Sequence, residues 1–256
     1  MPRNSKPKTQ RSKMTFDKKV LSVIRKQAET KMKVVTIFDN SAINGAGLQP
    51  TTGGGLWNSN ILGQMAVEQG TEQEQRVGNS ISNCRISLRG FVDSAAYNAT
   101  TNSSSNPFEV HMVVFKSKSN FAIDGDPNTL QKLKSLPNNN LGPVDGSVKS
   151  TIYPYNKDLY IIKKVRIFRL KAMTQDSSPN QVNPQVNGSW DQRYRRFKMN
   201  IPIAKTLKYT DGTSNLPSND WFSIGWFIVD GGANTIALNQ VRANVSMDAV
   251  MKFEDL

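Results

Sequence analysis

Between Val241 and Phe253 the apolar residues fall at every second position: Val241, Ala243, Val245, Met247, Ala249, Met251 and Phe253. Arg242, Asn244, Ser246, Asp248 and Lys252 stand between them. A period of two sends alternate side chains to opposite faces of an extended chain, so this segment buries one apolar face only as a β-strand. The same alternation runs through Arg196–Ile203, where Phe197, Met199, Ile201 and Ile203 oppose Arg196, Lys198, Asn200 and Pro202. Pro202 has no N–H to give to a ladder, so it marks a strand edge or end. In Ser80–Val92, Cys84, Ile86, Leu88 and Val92 share one face and Arg85, Ser87 and Arg89 the other. Further β-like runs are Met32–Phe38, Phe108–Lys116, a weaker one near Val148–Tyr153, and Leu159–Lys171. Trp221–Val229 is apolar on both faces, as expected of a strand covered from both sides.

Asn-, Gly-, Ser-, Thr- and Pro-rich segments separate these runs. Eight strands with one-sided patterning predict an all-β fold, an eight-stranded antiparallel jelly roll made of two packed sheets. One short helix is expected inside it. Asp126 and Pro127 form an N-cap and first-turn pair, Leu130, Leu133 and Leu136 mark a buried face, and Pro137 ends it. The connections 39–79, 94–106 and 172–190 are too long for hairpins and are expected to carry function or contacts. No internal repeat and no second folded domain are visible.

The charge is concentrated at one end. The chain has 33 basic and 20 acidic residues, a net charge of +13. Residues 1–33 hold 11 of the basic residues and only Asp17 and Glu29 as acids, so this segment carries +9 and the remainder +4. The expected organisation is a basic arm, 1–33, before a shell-like body, 34–256. Residues 1–14 are too polar to offset the entropy of ordering and are expected to be disordered. From Thr15, a plausible N-cap, to about Lys31, Phe16, Val20, Val23, Ile24 and Gln27 recur at helical spacing, with Lys18, Lys19, Arg25 and Lys26 between them. This reads as a short basic amphipathic helix. Such a helix can bind polyanions, lie on an anionic membrane or pack on its own domain. Nucleic acid is the favoured partner, because each phosphate neutralised releases a condensed counterion. The candidate contacts are Arg3, Lys6, Lys8, Arg11, Lys13, Lys18, Lys19, Arg25 and Lys26. A second cluster, Arg193, Arg195, Arg196 and Lys198 with Tyr194 and Phe197 between, is either a solvated strand face or a wall that touches phosphates, with Tyr194 available for stacking.

Conventional catalysis is poorly served. One cysteine rules out an intramolecular disulfide framework and a cysteine-rich zinc site. His111, the single histidine, lies among Val110, Met112, Val113 and Val114 and reads as a structural core residue. Cys84 reads as a buried inert thiol. Gly53-Gly54-Gly55 lacks the following Lys-Ser/Thr of a phosphate loop. Asp124-Gly125-Asp126 lacks calcium-loop spacing. No enzyme activity, cofactor or metal is expected. No apolar stretch is long enough for a membrane span, and no secretory signal is seen near the N-terminus.

The segment Glu68-Gln69-Gly70-Thr71-Glu72-Gln73-Glu74-Gln75-Arg76-Val77-Gly78-Asn79, followed by Ile81–Leu88 and Arg89-Gly90, resembles the loop and C (second) strand of single jelly-roll capsid proteins. The similarity is to capsids of the satellite tobacco necrosis virus type. It extends to the related capsids of small circular Rep-encoding single-stranded DNA (CRESS-DNA) viruses. Phe108–Lys116 resembles the next strand, and Asp126–Leu136 the insertion after it. Leu159–Lys164, after Tyr155-Asn156, and the closing strand through Val250–Asp255 are also similar to that group.

The resemblance implies a non-enzymatic structural protein that self-assembles, about 60 copies to a T=1 icosahedral shell, and packages single-stranded nucleic acid, circular DNA ahead of RNA. It implies a place in the virion, passage through the host nucleus, and an import receptor and a cell-surface receptor as host partners. Two other classes remain open at this point: a single-stranded nucleic-acid-binding protein that forms no shell, and a carbohydrate-binding β-sandwich.

Overall fold

The structure is a computed structural model. It describes residues 29–44, 57–58, 60–95, 106–118, 155, 157, 160–171, 174–175, 186–187, 193–214, 216–230 and 241–255. The expected helices over 15–31 and 126–136 and the weak run near Val148–Tyr153 lie outside these residues, except that Glu29–Lys31 belong to a strand.

Eight strands build two sheets. They are β1 (Glu29–Asn44), β2 (Trp57–Asn58), β3 (Ser80–Ser94), β4 (Phe108–Ser117), β5 (Tyr160–Leu170), β8 (Tyr194–Ile201), β10 (Ser223–Asp230) and β11 (Val241–Asp255). The pairs β6 (Thr174–Gln175) with β7 (Val186–Asn187), and β9 (Leu207–Lys208) with β3, are short additions. One sheet has the order β1-β11-β3-β8 and the other β2-β10-β4-β5. The described pairings within both are antiparallel. Among the eight main strands, every connection except β4 to β5 crosses from one sheet to the other. That order and crossing pattern define a jelly roll, as the alternation predicted.

The count of eight is met differently from expectation. The second strand is the two-residue β2 inside the 39–79 connection, too short for its pattern to show above loop composition. Residues 81–88 therefore belong to the third strand and not the second, which corrects the resemblance-based assignment to strand C. The first strand also begins at Glu29, so the expected arm–body boundary at 33/34 falls inside β1.

The inner faces meet in one core. Trp226 of β10 is fully buried, in edge contact with Phe38 of β1 at 6.5 Å and stacked on Phe168 of β5 at 6.0 Å, with Phe197 of β8 at 5.8 Å. These four rings come from both sheets and join them. Truncating such a ring costs about 3–5 kcal/mol. The inward residues of β3 and β11 predicted from alternation (Cys84, Ile86, Leu88, Val92, Ala243 to Phe253) are buried around them. The two long strands come close at Gly90, where a Cβ would lie 2.1 Å from the Ser246 carbonyl oxygen; only glycine fits there.

The 68–79 connection is compact because Arg76 is folded into it. This fully buried guanidinium donates to the carbonyls of Val67, Gly78, Asp211, Gly212 and Ser214 and lies 4.2 Å from the Tyr209 ring centroid. It ties the approach to β3 to the 211–214 turn. Lys31 closes the same end. Its Nζ is 3.2 Å from Asp255 Oδ2, both side chains 3% exposed, and it also donates to the Gln75 carbonyl at 2.9 Å. Asp255 Oδ2 accepts the Val77 N–H as well, at 2.7 Å. Lys31, counted by sequence with the arm, is thus a structural cation.

Candidate nucleic-acid interface

The outer face of the β1-β11-β3-β8 sheet follows from the same alternation that fills the core. Along β3 it presents Arg85, Ser87, Arg89 and Phe91, and along β8 Asn200, Lys198, Arg196 and Tyr194. Register brings these together. Arg89 stands opposite Lys198, Phe91 opposite Arg196, and Lys252 of β11 opposite Arg85. Arg85, Arg89, Lys198 and Lys252 are exposed and, among the described residues, none is in an ion pair. They line a groove of about 350 Å³ floored by Ser87, Asn200 and Val250.

Two carboxylates on this face are engaged otherwise. Asp248 Oδ1 accepts the Thr36 hydroxyl at 2.8 Å, and Glu254 Oε1 accepts the Asn83 amide at 2.7 Å. Beyond the groove the face turns aromatic. Phe91 and Tyr194, both half-buried, lie 5.1 Å apart with an interplanar angle of 32°, and Arg196 Nε donates to the Tyr194 hydroxyl at 2.9 Å.

Of the residues singled out from sequence, Arg3, Lys6, Lys8, Arg11, Lys13, Lys18, Lys19, Arg25 and Lys26 lie outside the described residues. The second cluster is split by the pleat. Arg196 and Lys198 share the outer face. Arg195 is exposed on the other side of β8, and Arg193 precedes the strand, half-buried. Phe197 is a core residue and takes no part. The sequence reading missed Arg85, Arg89 and Lys252 as members of the site. The signal was the polar face of Ser80–Val92; what was lacking was the register that sets β8 on one side of it and β11 on the other.

His111, Cys84 and Asp220 are held within the fold. His111 is buried, stacked on Phe227 at 4.8 Å, with Nε2 3.1 Å from Glu109 Oε2. Burial pushes its pKa below the ordinary 6.5, against the pull of Glu109. Burial likewise pushes the Cys84 thiol up to about 11, so it is inert as a nucleophile near neutral pH. Asp220 receives Lys116 at 3.1 Å and Lys163 at 3.3 Å and accepts the Ala204 N–H at 2.9 Å. Burial works to raise the pKa of this carboxyl, but the N–H and the two lysines prevail and hold it below 3.8.

This chain is thus a jelly-roll sandwich with a basic groove on one outer face. Among solved structures it is similar to PNGF-II, with a TM-score of 0.39 and 13% identity over 91% of this chain and 36% of that one. The chain therefore spans about a third of the length of that protein. It is also similar to a structure of turnip yellow mosaic virus (TM-score 0.29, 11% identity, 89% of this chain and 94% of that chain). A third is the semi-empty virus-like particle of Macrobrachium rosenbergii nodavirus (TM-score 0.31, 8% identity, 89% and 92%). No protein-family model and no curated protein matches the sequence. The fold assignment rests on the strand order of this chain itself.

Proposed function

We propose that this protein is the subunit of a small icosahedral virus shell and packages single-stranded nucleic acid through its basic N-terminal segment. One observation carries the reading: a complete jelly-roll sandwich whose first strand, starting at Glu29, continues from 28 residues that hold nine basic side chains and one acidic. A closed shell of about 60 such subunits gathers hundreds of positive charges in one volume, tolerable only where a polyanion screens them. Each can neutralise about one phosphate. The cargo proposed is circular single-stranded DNA, the shell T=1, and the protein's role structural, without catalysis. The same Lys/Arg-rich segment serves as a nuclear import signal. Arg193, Arg195, Arg196 and Lys198 are proposed as further nucleic-acid contacts.

The test is removal of residues 1–28, which stops short of β1. The truncated chain is expected to keep the far-ultraviolet β signature of the full chain. Its particles should show an absorbance ratio at 260 and 280 nm close to that of pure protein. Packaging by the truncated chain equal to that of the full chain would overturn the role of the arm. Absence of closed particles under the electron microscope would overturn the shell.

A further inference from the structure

We infer that the outer face of the β1-β11-β3-β8 sheet holds a phosphate-binding track for a single nucleic-acid strand, with Phe91 and Tyr194 as its base-stacking platform. This rests on the packaging reading above and extends it from the arm to a site on the folded body.

The physical argument starts from repulsion. In an antiparallel sheet, directly opposite residues lie side by side, and like charges there disfavour the fold. This face contains two such pairs, Arg89 with Lys198 and Lys252 with Arg85. None of the four is in an ion pair among the described residues; Asp248, opposite Arg89 on β11, accepts from Thr36, and Glu254 accepts from Asn83. The pairs are separated by one neutral rung, Val250–Ser87–Asn200, which forms the floor of the groove. An anion seated in the groove relieves both repulsions at once. The two rungs are four residues apart along β3, Arg85 to Arg89, or about 13 Å at the usual rise. Neutralising them together takes an extended polyanion and not a single small ion.

Two further observations select a nucleic acid. The next rungs on the same face are Phe91 with Arg196 and then Tyr194, an adjacent pair of half-buried rings on which unpaired bases can stack. A strand lying in the groove thus meets cations first and rings next. The other end of the groove lies where the basic segment joins the body. Met32 is in register with Lys252, and Thr30 and Glu254 line the adjoining depression with Arg85. The basic segment of the sequence therefore enters β1 beside that end of the groove.

The test uses the full chain as dissociated subunits and a fluorescein-labelled oligothymidylate, read by anisotropy across a salt series. The variant R85Q/R89Q/K198Q/K252Q should weaken binding at least tenfold. It should also lower the slope of log K against log salt by about 2–3, at about 0.7 per phosphate on a single strand. The charge-conserving R85K/R89K variant should keep that slope, which separates lost charge from misfolding. F91A should weaken binding about tenfold with the slope unchanged, since stacking releases no counterions. Replacing the nine basic residues between Arg3 and Lys26 by Gln gives the second arm of the experiment. If that variant loses affinity while the groove variant keeps both affinity and slope, the groove inference falls and the packaging reading stands. If the unmodified chain binds no oligothymidylate, the packaging reading falls and the groove with it. Groove-dependent binding of heparin, without any of the oligonucleotide, would overturn the inference in favour of a sulfated polysaccharide.

Discussion

Two groups of cations, one on each sheet, are held in opposite ways. On the β2-β10-β4-β5 sheet, Lys116 and Lys163 converge on Asp220, and Arg169 reaches Glu109 at 3.0 Å. The second cluster of buried apolar residues, Val113, Phe115, Tyr160, Phe227 and Val229, belongs to this sheet. On the other sheet, Arg85, Arg89, Lys198 and Lys252 stand exposed around a groove without ion-pair partners among the described residues. A cation that meets a buried carboxylate has its field consumed inside the fold and serves stability. A cation held beside another cation adds no pairing to the fold and keeps its field at the surface. The residue types are the same; what differs is whether a carboxylate reaches the cation, as Asp220 and Glu109 do and Asp248, in register with Arg89 but bonded to Thr36, does not.

The sharpest way to break this contrast is to unpair the first sheet. Asp220 is 6% exposed and joins β4, β5 and the residue Ala204 beyond β8. In D220N the two lysines lose their counter-charge, and a cost of about 3 kcal/mol is expected, read as a lower urea midpoint at unchanged slope. The pH dependence has a definite sign. The folded carboxyl is held below 3.8, so the unfolded chain takes up the proton first. The stability it contributes is complete above the ordinary value and is lost as pH falls through the folded one. Wild type should therefore lose this component in acid, and D220N should lack it. A midpoint for D220N within error of wild type at pH 7 would mean that the pairing is incidental.

The sequence was most legible where alternation runs long. The strands β3, β8, β10 and β11 were read within a few residues of their ends, with the right residues facing inward. Period-two burial is a local property, and it survives without knowledge of neighbours. β2 was not legible, since two residues carry no period and its pairing with Ile224 and Gly225 is decided by β10. The site was half legible for the same reason. Lys198 and Arg196 were seen as a cluster, but with Arg193 and Arg195, which the pleat sends elsewhere. Arg85, Arg89 and Lys252 are contributed across the ladder, by pairings over more than 100 residues of chain. Arg76 was quoted only as part of a motif; that it is a buried staple depends on carbonyls of residues 211–214.

His111 sharpens the comparison on the first sheet by a smaller effect. Burial lowers its pKa, so the folded state holds it neutral where the unfolded state begins to protonate. Stability should be fully present above pH 6.5 and decline as pH falls below it. H111F keeps a ring against Phe227 and removes the titration. Its urea midpoint should stay flat between pH 7 and 5 where that of wild type falls, and parallel profiles for the two would show that another group sets the slope.

The smallest effect is expected on the second sheet, and it is the most diagnostic. If Arg85, Arg89, Lys198 and Lys252 serve a ligand and not the fold, then R85Q/R89Q/K198Q/K252Q should leave the stability of the ligand-free subunit unchanged or raise it by less than about 1 kcal/mol, through relief of two like-charge cross-strand pairs. Added salt should raise the wild-type midpoint slightly by screening the same repulsion, and should do so less in the variant. A loss of stability beyond about 1 kcal/mol would place these side chains with the paired cations of the other sheet, and the contrast between the two faces would disappear.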